Sequence, residues 1–153
     1  MNLYKAVAEI KNTVNNMIPD MLIMVVMRSV ERNDEAHNLD HVVNVVKHAY
    51  ELCDRMDLSF KETSMVLTGA LCHDLGCAYD RDTHHFISYG LVFDYLERYG
   101  DSMFTLTETK IIAESCLQHR ASFKGTRNHI VAELVALADR GKLDKREYVK
   151  RSI

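Results

Sequence analysis

Along most of the chain, apolar residues return every three or four positions, the spacing of a helix with one face in a core. The clearest case runs from Asp40 to Cys53, where Val42, Val45, Val46, Ala49 and Cys53 fall on one stripe. Ser59-Phe60-Lys61-Glu62 reads as a capping box and predicts a helix from Phe60 toward Leu75, with Gly76 ending it. A fifth helix is expected from Thr83 to Tyr99, stopping at Gly100. A second capping box, Thr105-Leu106-Thr107-Glu108, opens a helix to about Gln118, and the last covers Asn128 to Arg140. Upstream, Asn2 to Met17 forms a first helix. Pro19-Asp20 is a stop followed by the N-cap of a second, which ends near Arg32 before the polar break Asn33 to Asn38.

The block Met21-Leu22-Ile23-Met24-Val25-Val26-Met27 is β-branched enough to pass for a strand and too short for periodicity to decide. It is read as a helix because no second strand exists to pair with it. Its seven residues fall well short of the roughly 20 that cross a membrane. A single proline and six glycines in 153 residues favour helices over many short strands. No repeat, low-complexity tract or linker interrupts the pattern. The expectation is an all-α protein, a single compact helical bundle domain of about seven helices spanning residues 1–153, with the N-terminal helices of residues 2–32 packed on the rest.

Composition is that of an ordinary globular chain, 47% hydrophobic and 27% charged. A net charge of −3 gives no general pull toward nucleic acid. Cys53, Cys72, Cys77 and Cys116 form no CxxC pair, and no export signal is visible, so they read as reduced thiols in a cytoplasmic protein.

One dipeptide changes the picture. His73-Asp74 ends the apolar run Met65 to Cys72, and two polar groups entering a core are costly unless something pairs with them; a metal ion is one such partner. Further ligands are available in His41, His84, His85, His119 and Asp139, all within about a turn of an expected helix end. Helix ends converge readily in a bundle. Nitrogen and carboxylate donors without a cysteine cluster suit Mn, Fe, Co, Ni or Zn.

The order His41, His73-Asp74, Asp139 resembles that of the HD-domain metal-dependent phosphohydrolases. The flanks agree as well: His41-Val42-Val43-Asn44-Val45, Gly69-Ala70-Leu71-Cys72-His73-Asp74-Leu75-Gly76 and Ala136-Leu137-Ala138-Asp139-Arg140 look like the family's three motifs. The resemblance covers a motif core of about residues 40–142. It implies metal ligation by His41, His73, Asp74 and Asp139 and, in members with added histidines, a second ion held by His84 or His85 and by His119. His84, four residues before Ser88, is preferred to His85. One or two divalent ions are therefore implied. Such ions lower the pKa of a water toward about 7, and a pair about 3.5 to 4 Å apart holds both the attacking and leaving oxygens of an in-line displacement. Asp74 would bridge or ligate them.

The implied activity is hydrolysis of a phosphomonoester or phosphoanhydride of a nucleotide-like small molecule, with Asp74, Arg120 and Arg140 in the catalytic set. Arg120, Lys124 and Arg127 after His119, and Arg140 and Lys142 just after Asp139, are the cations available to substrate phosphates. The alternatives are a non-catalytic metal-binding or ligand-sensing module and a di-iron oxygen-using enzyme of the same fold. The partner is a phosphorylated small molecule rather than a membrane or nucleic acid, with a homo-oligomer left open. Plainer readings weigh against other features. His48 and His129 read as surface or hydrogen-bonded residues. His37 reads as a loop residue unless its helix begins early. Met21, Met24 and Met27 read as core filling, Cys72 and Cys77 as buried thiols, and the basic end from Arg140 to Ile153 as a solvated face.

Overall fold

In a computed structural model, described for residues 1–34, 38–119 and 129–141, the chain folds into seven α-helices, with no strand among the described residues. The first, α1 (Leu3–Val14), starts where the Asn2 side chain accepts the Lys5 amide at 2.8 Å. It ends three residues before Met17, because Asn15 and Asn16 turn left-handed (φ 44° and 70°). The doubtful apolar block is helical, in α2 (Asp20–Val30). Pro19 occupies the cap position, so Asp20 is the first helical residue rather than the N-cap, with its charge at the positive end of the helix.

Asn38 starts α3 (Leu39–Arg55), its side chain accepting the His41 amide at 3.3 Å. In α4 (Phe60–Cys72), Ser59 accepts the Glu62 amide at 3.1 Å, while the Glu62 carboxylate takes the Ser59 hydroxyl rather than the Ser59 amide. The box at α6 (Leu106–Gln118) is reciprocal, with Thr105 and Glu108 each bonding the other's backbone amide. Between them lies α5 (His84–Tyr99), and α7 (Ile130–Asp139) completes the set.

The fourth helix is shorter than its pattern suggests. It stops at Cys72, and a short 3-10 helix, Leu75–Ala78, follows. The cause is local: His73 donates its ring Nδ1–H to the Ala70 carbonyl at 2.6 Å, the acceptor that a continuing helix would offer to the Asp74 amide. Gly76 therefore does not end the helix.

Helices α4 and α7 form the centre of the bundle. Every residue from Thr63 to Cys72 is buried, as are Val131, Ala132 and Leu134 to Ala138, which is the character of helices surrounded on all sides. They pack on each other and on α3 and α6, while α1 packs against α2 and α3. Full burial of Leu67, Leu71, Leu134 and Leu137 contributes on the order of 1.5–3 kcal/mol for each side chain. Gly69 allows a close approach between these helices: a Cβ there would lie 2.5 Å from Ser115 Oγ on α6 and 3.0 Å from Val135 Cγ2 on α7. Among the described residues, no helix is long and apolar enough to cross a membrane.

Candidate metal centre

This packing gathers the ends of five helices. His41 is in the first turn of α3, His73 caps the end of α4 and Asp74 follows it. His84 is the first residue of α5, His119 caps the end of α6, and Asp139 is the last residue of α7. Their donor atoms fall into two groups, one of His41, His73 and Asp139 and the other of Asp74, His84 and His119. Within each group, one ligand atom from every residue lies within 4.8 Å of the others.

Asp74 joins the two groups by dividing its oxygens between them. Oδ2 lies 3.1 Å from His73 Nε2 and 3.5 Å from His41 Nε2. Oδ1 lies 3.3 Å from His84 Nε2 and 3.8 Å from His119 Nε2. On the first side, Asp139 Oδ1 is 3.0 Å from His41 Nε2 and 3.3 Å from His73 Nε2.

Three of the rings have their tautomer set by the backbone. His73, His84 and His119 donate Nδ1–H to the carbonyls of Ala70, Arg81 and Cys116, at 2.6, 2.8 and 2.6 Å. A carbonyl can only accept, so each neutral ring keeps its lone pair at Nε2, pointed at the carboxylates. The Asp74 Oδ2 atom is buried with no hydrogen bond among the described residues. A buried, orphaned carboxylate oxygen facing imidazole lone pairs is a place for a cation, and the nitrogen and oxygen donors fit a divalent transition metal.

Titration follows from the same geometry. Burial works against the charge on His73, but Asp74 and Asp139 outweigh it and hold its pKa well above the usual histidine value. His84 is raised likewise, its burial outweighed by Asp74 and the Arg81 carbonyl. Burial, reinforced by the charge of His73, pulls His119 down to about 3 and leaves it neutral. Despite burial, Asp74 and Asp139 are held far below the ordinary carboxylate range, chiefly by His73 for Asp74 and by bonds from His41 and His73 for Asp139.

The family model of the HD domain matches residues 38–141, from the Asn38 cap of α3 to the residue after Arg140. The chain belongs to the HD-domain family. No curated protein and no solved structure matches it. The HD domain points to the metal-dependent phosphohydrolase superfamily, and its two His/Asp groups suggest divalent metal binding.

All six residues expected to ligate metal meet in this HD domain. Of the adjacent pair, His84 reaches Asp74, while the His85 ring lies against Phe86 at 4.1 Å between centroids. His129 caps α7 by accepting the Val131 amide, and His48 sits beside Gly141. Cys72, Cys77 and Cys116 belong to neither group. Arg140 follows Asp139 at the end of α7 and is half-buried. His37, Arg120, Lys124, Arg127, Lys142 and the rest of the basic end lie outside the described residues.

Two supporting residues escaped the sequence reading. Asn33, within the polar break after α2, donates its side-chain amide to the Asp74 carbonyl at 3.3 Å. Ser88, noted only for its spacing from His84, accepts the Gly76 amide at 2.7 Å. Ser88 is fully buried.

Proposed function

We propose that this HD domain is a metal-dependent phosphohydrolase acting on a phosphomonoester or phosphoanhydride of a nucleotide-like small molecule, with His41, His73 and Asp139 holding one divalent ion, His84 and His119 a second, and Asp74 shared. The single observation that carries the reading is the division of Asp74 between two groups of imidazoles. Ions so held would acidify a water toward neutral pKa and polarise a phosphoryl oxygen. The protein's own contribution is rigidity: three rings are fixed by backbone carbonyls, so the lone pairs need little reorganisation.

Exposure supports a direction of approach. His41 and Asp139 are 27% and 23% exposed, whereas the His73 and Asp74 side chains are 0% and 2% exposed. A substrate phosphate therefore enters past His41 and Asp139, where Arg140 is the adjacent cation; Arg120, next to His119 in sequence, is assigned the same role. The nucleotide-like character of the substrate rests on the family resemblance. Four free thiols are in keeping with a cytoplasmic setting.

The test is turnover of an aryl phosphate with added Mn, lost on chelation and in Asp74→Ala. Turnover indifferent to both overturns the proposal. Two bound ions without turnover would instead identify a metal-binding module, and iron retained through purification without phosphatase activity an oxygen-using enzyme.

A further inference from the structure

We infer that Ser88 is the positioning residue of the second metal group, holding His84 against Asp74 through the turn that follows the doublet. The inference rests on the proposed two-ion reading of the site.

Asp74 and His84 belong to separate elements, which meet where the 3-10 helix after Asp74 packs on α5. The link lies two residues beyond Asp74 and one helical turn beyond His84. There the Gly76 amide donates to Ser88 Oγ at 2.7 Å, with both residues buried and Ser88 wholly so. The approach is close enough to require glycine: a Cβ at Gly76 would lie 2.4 Å from the His84 carbonyl oxygen and 2.9 Å from the Ser88 amide. The bond therefore ties the segment bearing Asp74 directly onto α5, one turn from His84. His84 gains its second constraint from the Arg81 carbonyl, at the end of the same connecting loop.

The other group is built differently. His41, His73 and Asp139 come from α3, the end of α4 and α7, which pack on one another through the bundle core. Their positions do not pass through Ser88. Loss of its hydroxyl should therefore loosen the second group most and leave the first its three other ligands, since a buried amide left without its acceptor gives the turn a reason to shift.

The experiment is Mn titration of the whole chain, followed by calorimetry and electron paramagnetic resonance. The unsubstituted protein should bind two ions with the spectrum of a coupled pair. Ser88→Ala should keep the first ion and bind the second about 10 to 100-fold more weakly, its spectrum becoming that of isolated Mn. Ser88→Cys, which fills the space with a weaker acceptor, should move the same way by less and serves if the alanine variant does not fold. Ile10→Val, a core change in α1 remote from the site, should retain both ions at its lowered stability. Two ions held unchanged in Ser88→Ala, or both weakened alike, overturn this inference alone. Fewer than two ions on the unsubstituted protein overturn the two-ion reading and this inference with it.

Discussion

The Nε2 atoms of His41 and His73 lie 3.3 Å apart, a separation at which one of the two nitrogens must carry a proton or a metal ion. The Nδ1–H of His73 is committed to the Ala70 carbonyl, so the neutral ring has a lone pair at that contact. A proton on one of the rings relieves the contact, and so does a metal ion. The raised pKa of His73, with Asp74 and Asp139 outweighing its burial, reflects the first remedy.

Metal should therefore stabilise the fold as well as activate it. At 100 times its dissociation constant, one ion adds about 2.7 kcal/mol, which for a domain of this size raises Tm by about 5–10 °C. Thermal melts with Mn and with excess chelator measure the difference. A Tm indifferent to both would count against any ion at this centre.

The chelated protein should be most stable near pH 6.5. His73 and His84, raised in the fold, contribute stability that is complete below the unfolded histidine value and is lost as pH rises through their folded values. His119, lowered to about 3 by burial and by His73, acts in the opposite sense: the unfolded chain takes up its proton first, so stability falls on acidification from about pH 6.5. That slope approaches 1.4 kcal/mol per pH unit. Asp74 and Asp139, held low by the imidazoles around them, add their own loss below about pH 4. Denaturant melts from pH 4 to 8 on chelated protein test the shape, and His119→Gln should flatten the limb between about pH 6 and 4.

The candidate ligands were legible because their chemistry is written in residue type: a histidine and an aspartate at the end of an apolar run have few reasons to be there. Helix starts were legible where a cap is a side chain, as at Ser59 and Thr105. The end of α4 was not. Its pattern continues to Leu75, and what stops it is a ring nitrogen taking a carbonyl, a competition invisible to hydrophobic spacing. Asn33 and Ser88 were missed for a related reason. Each supports Asp74 or its turn from a distant part of the chain, and a single hydrogen bond across that separation leaves no periodic trace.

Close helix packing behind the site should be sensitive to one methyl group. In Gly69→Ala the new Cβ meets Ser115 Oγ at 2.5 Å and Val135 Cγ2 at 3.0 Å, and Ser115 cannot simply swing away without giving up its bond to the Ile112 carbonyl at 2.6 Å. The expected cost is about 1–3 kcal/mol. Ser115→Ala in the same chain removes the nearer obstacle and should recover part of that loss, leaving the Val135 contact. A double-mutant cycle by chemical denaturation measures the coupling; strictly additive effects would mean that the helices separate freely at this point.

The thiols provide an independent check on which atoms face the metal. Burial pushes Cys53 and Cys72 up to about 12 and Cys116 well above its usual value; Cys77, half-buried, is pushed to about 12 by burial and then by Asp74 and Asp34. At pH 8 a thiol near 12 is ionised to only about one part in ten thousand, and the thiolate is the reactive form. Iodoacetamide should therefore leave the folded, chelated protein almost unlabelled and modify all four cysteines once it is denatured. Cys77 is the sensitive probe, being the most accessible of them and only three residues from Asp74. Rapid labelling there would reveal a thiolate beside the carboxylates, adding sulfur to the donor set and weakening the case for a centre built from imidazole and carboxylate alone.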